Sequence, residues 1–397
     1  MRVTLAGLGC GAMATVTAEV GEALAQADYL IGAARLLRRL PEELTPRREC
    51  ATKPQEILEL LLASGCENTC VLYSGDTGFY SGARGLLPLL EERGVETRVL
   101  PGVSSVQYLA ARMGRPWQDW LLRSAHGVDC DAVEAVCRGK AVCFLTGGAL
   151  GPGDLCRQLA EAGLENLPVA AGENLSYPEE RITRGTAAEF AGRAFAPLSV
   201  LLAEAAPTLS WRTPGIPDGD FQRGSVPMTK QEVRSAALGK LAVGPEDVCW
   251  DIGAGTGSVS VELALHSRSV WAVERDAEAL ALLRANRQRF CAWNLRIVEG
   301  CAPEALEGLP APSAVFVGGS GGELPLILQA VHNANPRARI CVSAIALETL
   351  NAALRGLTAL GYEAEVAQIA VSRCRPAGTL HLLTAQNPVF LITGVRP

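Results

Sequence analysis

The chain has 397 residues, of which 48% are hydrophobic and 20% are charged, and its formal net charge is −6. This length exceeds that of a usual single domain, and the composition excludes a fibre or a long disordered chain. A net acidic chain lacks the basic surface that general nucleic-acid binding requires, so we expect no nucleic-acid partner. No apolar run reaches the roughly 18 residues needed to span a bilayer, so we expect no membrane association. The glycine-punctuated start, with Arg2 as its only basic residue in positions 1–20, does not predict a signal peptide.

The 13 cysteines are scattered along the chain, and only four histidines are present. The closest cysteine pair, Cys66 and Cys70, has neither zinc-finger nor CxxC spacing. We therefore expect no dedicated metal site. Free thiols are typical of a reducing compartment, and we expect a cytoplasmic protein.

A segment rich in proline and glycine, 207–227, interrupts the chain. Such a stretch favours neither a helix nor a central strand. We interpret it as a linker between an N-terminal domain, 1–206, and a C-terminal domain, 228–397. Both lengths suit independent α/β domains.

Short apolar strands alternate with helical segments in both predicted domains. The predicted strands are 3–6, 69–73, 141–145, 198–202, 248–252, 270–273, 314–317 and 340–343. Helical segments at 17–27 and 259–265 follow the first strand of each domain. This alternation predicts an α/β protein with mostly parallel sheets covered by helices.

The segment 251–257 reads Asp-Ile-Gly-Ala-Gly-Thr-Gly and lies between a predicted strand and a predicted helix, which is the context of a nucleotide-binding loop. Its glycines permit a tight turn and leave bare backbone for a ligand. The GxGxG spacing differs from the GxGxxG of dinucleotide sites. It resembles the first motif of Rossmann-like methyltransferases that use S-adenosylmethionine (SAM). The predicted SAM-binding residues of this loop are Gly253, Ala254, Gly255, Thr256 and Gly257.

Two further segments support a site at the same edge of the sheet. Glu274 ends the next predicted strand, where a carboxylate can accept two hydrogen bonds from ribose hydroxyls. NAD and SAM both contain a ribose, so Glu274 indicates a nucleoside without choosing between them. The segment 299–304 is similar to a GDAPE-like adenine-binding segment, with Cys301 in place of Asp, and we assign Cys301 and Ala302 to the cofactor site.

Thr229 and Glu232 have the spacing of a capping box at the start of a helix. The box precedes the first strand of the C-terminal domain, so Thr229 is also a candidate cofactor contact. The loop 318–322 is almost entirely glycine and follows a predicted strand. Bare backbone suits close approach of a large flat substrate, and we assign Gly318, Gly319 and Ser320 to substrate binding.

Several loops of the N-terminal domain also follow predicted strands, and loops after parallel strands meet at one edge of a sheet. Polar side chains there can hydrogen-bond a small polar ligand. The candidates for a second cofactor site are Gly7, Gly75, Asp76, Ser104, Ser105 and Thr146, with His126 as a candidate substrate contact.

The N-terminal domain resembles the tetrapyrrole methylase superfamily, in the cobalamin-pathway branch called CbiE. The segments that carry this resemblance are 7–9, 75–77, 101–107, 124–127 and 173–180. The C-terminal domain resembles the CbiT family through 228–234, 251–257, 299–304, 316–319 and 387–390. Together the two domains resemble the fused family of precorrin-6Y C(5,15)-methyltransferases (decarboxylating). Cys10 is a departure, because the family usually has proline at this position.

The resemblance implies an enzyme of cobalamin biosynthesis that methylates carbons 5 and 15 of a precorrin or cobalt-precorrin and decarboxylates the acetate side chain of ring C. It implies two SAM molecules as methyl donors, one per domain, with carbon 5 assigned to the N-terminal domain. We also expect a homo-oligomer. Because this substrate carries many carboxylates, we expect local basic patches to bind it. Two arginine runs are candidates: Arg35, Arg38 and Arg39, then Arg112, Arg115 and Arg123.

Other functions remain open at this point. An NAD-dependent oxidoreductase would use the C-terminal glycine loop, although the GxGxG spacing argues against it. A non-catalytic tetrapyrrole chaperone would bind a corrin without methyl transfer. A related methyltransferase would act on another tetrapyrrole or on a protein.

Overall fold

The computed structural model describes residues 1–44, 46–208 and 214–396. The chain divides into two compact units. The first is drawn from Met1–Val136, Lys140–Glu161 and Glu165–Ala205, and the second contains the chain from Ala206 onward. The α/β class expected from the alternating pattern is confirmed in both units.

The first unit begins with a five-stranded, wholly parallel sheet of order β3-β2-β4-β1-β5. Its strands are β1 (Arg2–Gly7), β2 (Tyr29–Gly32), β3 (Arg47–Cys50), β4 (Asn68–Tyr73) and β5 (Glu96–Leu100). Its helices are α1 (Ala18–Ala25), α2 (Ala34–Leu37), α3 (Pro54–Ser64) and α4 (Ala83–Glu92). Buried apolar side chains from both faces of the sheet pack against these helices, as parallel sheets require.

A second five-stranded sheet completes the first unit, with order β6-β7-β10-β8-β9. Its strands are β6 (Leu121–Ser124), β7 (Val142–Leu145), β8 (Pro168–Glu173), β9 (Arg181–Thr186) and β10 (Ser199–Ala203). Its helices are α5 (Ser105–Met113), α6 (Ala132–Val136), α7 (Pro152–Glu161) and α8 (Ala187–Phe190). Only β6 and β7 are parallel here. The expectation of mostly parallel sheets is wrong for this sheet, because the short connection after β8 reverses the chain, and β9 and β10 both run antiparallel to β8.

The second unit contains a seven-stranded sheet of order β13-β12-β11-β14-β15-β19-β16. Its strands are β11 (Val248–Ile252), β12 (Ser269–Glu274), β13 (Leu295–Glu299), β14 (Ala314–Val317), β15 (Arg339–Ala344), β16 (Glu363–Ile369) and β19 (Val389–Val395). The first five are parallel, and β19 is antiparallel to both neighbours. Strand order reverses at β11, which sets a crevice at its carboxyl end.

The helices of the second unit are α9 (Gln231–Leu241), α10 (Ser258–His266), α11 (Ala277–Arg289), α12 (Leu324–Ala334) and α13 (Leu347–Ala359). Their apolar side chains pack against those of the sheet in two separate clusters. A two-stranded hairpin, β17 (Ser372–Ala377) and β18 (Leu380–Ala385), extends between β16 and β19. Among the described residues, no helix is long and apolar enough to cross a membrane.

Part of the predicted linker, 209–213, lies outside the described residues. The remainder from 214 packs into the second unit. Ile216 is fully buried, and the backbone N–H groups of Gly215 and Ile216 donate to the buried Glu262 carboxylate at 2.7 and 3.0 Å. Arg234 donates to the same carboxylate at 2.6 Å. A buried carboxylate needs such donors, so this proline-rich segment is held as an ordered part of the fold.

Candidate functional site

A cavity of about 200 Å³ opens at the carboxyl ends of β11, β12 and β14 in the second unit. The residues that line it are Ile252, Gly253, Val273, Glu274, Arg275, Gly300, Cys301, Ala302, Gly319, Ser320, Gly321 and Ile327. Six of the residues predicted for the cofactor or substrate therefore line one cavity: Gly253, Glu274, Cys301, Ala302, Gly319 and Ser320.

The floor of this cavity is formed by two glycines in close contact. Gly253 has φ +71°, and a Cβ at this position would lie 2.5 Å from the Gly319 carbonyl oxygen. The left-handed backbone and the close approach both require glycine. A Cβ on Gly319 would meet only the Gly253 Cα, at 3.9 Å. A side chain at Gly319 would therefore enter the cavity space without displacing protein atoms.

Glu274 is held by the backbone at the end of β12. Its Oε2 accepts from the Gly255 N–H at 2.8 Å, and its Oε1 accepts from the N–H groups of Arg275 and Asp276 at 2.7 and 2.9 Å. The carboxylate thus fixes the glycine loop, while Oε2 retains acceptor capacity toward the cavity. The position is compatible with a ribose hydroxyl, which is the predicted contact.

Two buried polar atoms of the glycine loop lack hydrogen-bond partners within the described part of the chain: Asp251 Oδ1 and Thr256 Oγ1. Both side chains are 1% exposed. The other oxygen of Asp251 accepts from the Ser260 hydroxyl. Burial, opposed by that hydrogen bond and reinforced by the charge of Glu274, raises the pKa of Asp251 to about 7. Buried atoms of this kind normally have partners, and here both belong to residues that do not line the cavity.

Cys301 lies at the cavity edge with the Arg275 guanidinium as its neighbour. The Arg275 Nη1 donates to the Cys301 Sγ at 3.7 Å. A thiol is a weak acceptor, whereas the Asp usual in the similar segment would pair with this cation. Cys301 therefore leaves the guanidinium without a carboxylate partner among the described residues.

Four predicted cofactor residues do not line the cavity: Ala254, Gly255, Thr256 and Gly257. They build the turn behind it. Gly257 is the N-cap of α10 with φ +77°, and a Cβ there would lie 2.2 Å from the Leu283 Cδ1. These residues shape the loop from within, and their predicted cofactor contacts remain predictions.

Thr229 also lies outside the cavity lining, and the capping box predicted with it is wrong. The helix begins at Gln231, and its N–H donates to the Asp218 carboxylate at 2.9 Å. Glu232 instead pairs with Arg373 at 2.7 Å. A carboxylate from the preceding segment replaces the Thr229 hydroxyl, and an arginine distant in sequence engages the box glutamate.

A smaller cavity of about 150 Å³ shares Gly319 and Ser320 with the first and includes Gly318. Its other lining residues are Val317, Val342, Ser343, Ala344, Ile345 and Thr349. Ile345 is 73% exposed at its rim. The three residues predicted for substrate binding therefore separate the cofactor cavity from a second recess with an apolar rim.

The first unit contains its own cavity, of about 210 Å³. Its lining comprises Cys10, Arg35, Ser74, Gly75, Phe79, Tyr80, Ser105, His126, Leu145, Thr146, Gly172, Leu175, Tyr177, Pro197, Leu198, Ser199 and Val200. Gly75, Ser105, Thr146 and His126 are the predicted residues that the structure brings to this cavity. The lining has aromatic rings and one guanidinium, but no carboxylate.

The other predicted residues of the first unit join its loops together. A Cβ on Gly7 would lie 2.7 Å from the Gly102 nitrogen. The Asp76 carboxylate accepts from the N–H groups of Gly102 and Gly78 at 3.0 and 2.9 Å. Ser104 caps α5 in a capping box with Gln107. Gly7, Asp76 and Ser104 therefore lie behind the cavity wall, and any direct ligand contact from them remains a prediction.

Thr146 and His126 form one polar side of this cavity. The Thr146 hydroxyl donates to the Ser199 carbonyl oxygen at 2.6 Å, and the His126 Nδ1 lies 3.3 Å from the Thr146 carbonyl oxygen. Cys10, where the family has proline, donates through Sγ to the Val103 carbonyl oxygen at 3.4 Å. Burial raises the pKa of Cys10 to about 12, so this thiol is neutral.

Several lining residues escaped sequence reasoning, among them Arg275, Phe79, Tyr80 and Tyr177. Arg275 follows Glu274 directly, and its place after a strand end was a usable signal. Tyr80 follows the Gly75–Asp76 turn, but its ring reaches the cavity through a left-handed backbone, φ +46°. Single-sequence reasoning does not anticipate that conformation for tyrosine.

The second unit fits a SAM molecule on these observations. Its glycine floor admits a ligand against the backbone, and Glu274 can accept from a ribose. The residues that would hold the cofactor there are Gly253, Glu274, Cys301, Ala302 and Gly319.

Comparisons with known proteins cover both units. The family model described as "Tetrapyrrole (Corrin/Porphyrin) Methylases" matches residues 2–191, and that described as "Precorrin methyltransferase domain" matches residues 220–396. A curated precorrin-6Y C(5,15)-methyltransferase [decarboxylating] from Sinorhizobium sp is 30% identical over 402 residues, which cover 98% of this chain and 95% of the relative.

Relatives of the second unit alone are more similar in sequence. A probable cobalt-precorrin-6B C(15)-methyltransferase (decarboxylating) from Pyrobaculum calidifontis is 46% identical over 47% of this chain and 98% of its own length. The crystal structure of a precorrin-6Y C5,15-methyltransferase from Geobacter metallireducens is 38% identical, covers 47% of this chain and 100% of that chain, and has a TM-score of 0.45. The full-length match and the order of the two family models show that the chain belongs to the family of precorrin-6Y C(5,15)-methyltransferases (decarboxylating), enzymes that use SAM as methyl donor.

Proposed function

We propose that this chain methylates carbons 5 and 15 of a precorrin and decarboxylates its ring C acetate, using one SAM site in each unit. The observation that carries the proposal is a ligand-sized cavity at the predicted position in each unit. We assign carbon 5 to the first unit, and carbon 15 with the decarboxylation to the second.

When bound, SAM supplies an electrophilic methyl group on its sulfonium. A bridging carbon between two pyrrole rings is enamine-like and already nucleophilic, so the protein must chiefly hold donor and acceptor in line. Positioning alone can lower such a barrier by about 7–11 kcal/mol. The glycine floor at Gly253 and Gly319 and the anchored Glu274 are suited to positioning. The proton released from the bridging carbon can pass to solvent.

Decarboxylation breaks the bond between the acetate methylene and its carboxyl carbon. The electron pair enters the conjugated ring, carbon dioxide leaves, and the methylene takes a proton to become a methyl group. The recess beside Gly319 and Ser320 offers hydroxyls from Ser320, Ser343 and Thr349, but no ionisable side chain. We therefore propose that the ring is the electron sink and that the recess orients the acetate.

The test uses two full-length variants that fill one cavity each. Gly319→Val places a side chain in the second unit's cavity, and Ser105→Leu does the same in the first. Gly239→Val, at an exposed position with no neighbour within 4 Å of its Cβ, is the matched control. Calorimetry should give two SAM sites for the wild type and the control, and one for each filled variant.

Mass spectrometry of the product then assigns the chemistry. We expect Gly319→Val to abolish carbon-15 methylation and loss of carbon dioxide, and Ser105→Leu to abolish carbon-5 methylation. A mixture of the two variants should restore the doubly methylated, decarboxylated product. A folded Gly319→Val variant that still releases carbon dioxide, or two variants that both lack the same methyl group, would contradict the assignment.

We also propose that the chain assembles with copies of itself. The hairpin of β17 and β18 is exposed, and three leucines of β18, Leu380, Leu382 and Leu383, are 64%, 45% and 75% accessible. Monomeric proteins seldom expose such apolar clusters. Light scattering on the wild type should give a multiple of the chain mass, and Leu383→Lys should reduce it.

A further inference from the structure

Arg35 differs from the other arginines of the two predicted basic runs. Arg39 stacks on the Tyr177 ring at 3.6 Å and donates to the Gly11 carbonyl oxygen. Arg112 pairs with Glu180 at 2.9 Å. Arg115 pairs with Glu204. These three cations are therefore committed to the protein's own acceptors.

Two arginines of the runs have no hydrogen bond or ion pair within the described ranges: Arg35 and Arg38. Both are exposed and both belong to the short α2 region. Only Arg35 lines the cavity of the first unit. That lining contains no aspartate or glutamate. A guanidinium without a neighbouring carboxylate makes the cavity wall attractive to an anionic ligand.

Aromatic rings form the surfaces beside this cation. Tyr177 is held in place by the Arg39 guanidinium. Tyr80 is 53% exposed, yet its hydroxyl donates to the Leu122 carbonyl oxygen at 3.1 Å, and its ring meets Phe79 edge-on at 5.0 Å. Its φ of +46° is costly for tyrosine, and such strain persists where the surroundings hold it and is common at functional sites. Tyr80 is thus a fixed, half-open aromatic face.

We infer that Arg35 binds a carboxylate of the macrocyclic methyl acceptor in the first unit, while Tyr80 and Tyr177 contact its flat ring. The inference rests on the proposed function and extends it to named acceptor-binding residues. A flat conjugated ring with carboxylate arms matches an aromatic wall beside one unpaired guanidinium. SAM also carries a carboxylate, so the experiment must separate these two sources.

The experiment compares Arg35→Gln, Arg35→Lys and the matched control Arg38→Gln in the full-length chain. The probes are precorrin-6Y and SAM. We expect Arg35→Gln to raise the KM for precorrin-6Y in carbon-5 methylation by roughly 10- to 100-fold, because a charge-assisted contact is lost. Arg35→Lys should recover part of the loss, since it keeps the charge without the planar fork. Arg38→Gln should behave as wild type.

A second measurement identifies which carboxylate Arg35 holds. In the Gly319→Val background, calorimetry reports SAM binding to the first unit, and Arg35→Gln should leave that affinity within about twofold. Loss of SAM affinity with an unchanged KM for precorrin-6Y would overturn the inference by assigning Arg35 to the cofactor. An unchanged KM together with unchanged SAM affinity would also overturn it.

Direct binding keeps this test separate from the proposed function. Absorbance titration of precorrin-6Y into the chain needs no turnover, and its affinity should fall with Arg35→Gln and not with Arg38→Gln. Methylation of carbon 5 by the wild type with no effect of Arg35→Gln on KM or binding would refute this inference alone. Absence of methylation by the wild type would refute the proposed function, while the titration would still decide the role of Arg35.

Discussion

The two cavities are built from different materials. In the second unit, glycine backbone forms the floor and the Glu274 carboxylate holds the loop from the end of the next strand. In the first unit, the tightly packed Gly7 and Gly102 lie behind the wall, and Arg35, Tyr80, His126 and Tyr177 line the cavity. A cavity at a strand end can therefore be bounded by a backbone cradle or by a wall of side chains. The cradle tolerates no added atom at Gly253, where a Cβ would lie 2.5 Å from the Gly319 carbonyl oxygen, whereas a side chain of the wall can be replaced without altering the loop backbone.

The largest effect should come from adding one carbon where backbones touch. Gly102→Ala would place its Cβ 2.3 Å from the Gly75 carbonyl oxygen, and Gly253→Ala meets Gly319 in the same way. Each variant should destabilise its own unit by on the order of 3 kcal/mol, because the packed backbone cannot move aside for the new Cβ without strain. Chemical denaturation with limited proteolysis would show which unit opens. Gly239→Ala, on an exposed helix, should be neutral or stabilising. If either variant destabilised both units equally, the expectation that each substitution affects only its own unit would be contradicted.

Loss of the carboxylate at the end of β12 should weaken SAM binding in the second unit only. Glu274→Ala leaves three backbone N–H groups without their acceptor and removes the predicted ribose contact. We expect a loss of about 2–3 kcal/mol in SAM binding, measured by calorimetry in the Ser105→Leu background. Glu299→Ala is the matched control, because Glu299 is the register neighbour of Glu274 on β13 but does not line the cavity. Unchanged affinity would mean that Glu274 has no ligand role.

Asp251 should make the stability of the second unit depend on pH in an unusual direction. Its pKa is raised to about 7 by burial, against an unfolded value of 3.8. Between these values the unfolded chain has released the proton and the folded chain has kept it, so stability falls as pH rises from about 4 to about 7. Asp251→Asn removes this pH-dependent contribution to the free energy of unfolding. The stability of the variant relative to wild type should rise across that window, by on the order of 1 kcal/mol per pH unit.

Urea unfolding at several pH values between 4.5 and 8 would measure this difference. Above pH 7 the difference in unfolding free energy between the variant and the wild type should become constant. Parallel profiles for the two proteins would show that Asp251 is ionised throughout.

The smallest effect concerns the residue that departs from the usual segment. Cys301→Asp restores a carboxylate beside Arg275 and an acceptor for the adenine amine. We expect SAM affinity in the second unit to increase by less than tenfold, since the pair is exposed and screened. Cys301→Ser is the control for size. A decrease with Asp would indicate that the Arg275 guanidinium itself contacts the cofactor.

The sequence alone located eight of the nineteen strands found in the described residues, and the edge of the second unit's sheet at which its cavity opens. Buried parallel strands such as β11 and β14 are continuous apolar runs, and the glycines after them are required by backbone geometry that any ligand-binding loop of this kind shares. Gly253, Glu274 and Cys301 could be placed at this cavity from the sequence, because their position depends on local order at a strand end.

Only the tertiary structure decided the identity of the first unit's wall, the antiparallel second sheet and the role of the linker. Tyr80 reaches the cavity through a left-handed backbone. Arg35 is selected because it lines the cavity, whereas Arg39 and Arg112 find partners elsewhere. Gly215 and Gln222 of the predicted linker donate backbone N–H groups to Glu262 and Asn286. Each of these depends on contacts between residues far apart in the chain. Local propensity and spacing carry no information about which distant acceptor an arginine or a backbone N–H will find, so these features were decided by packing.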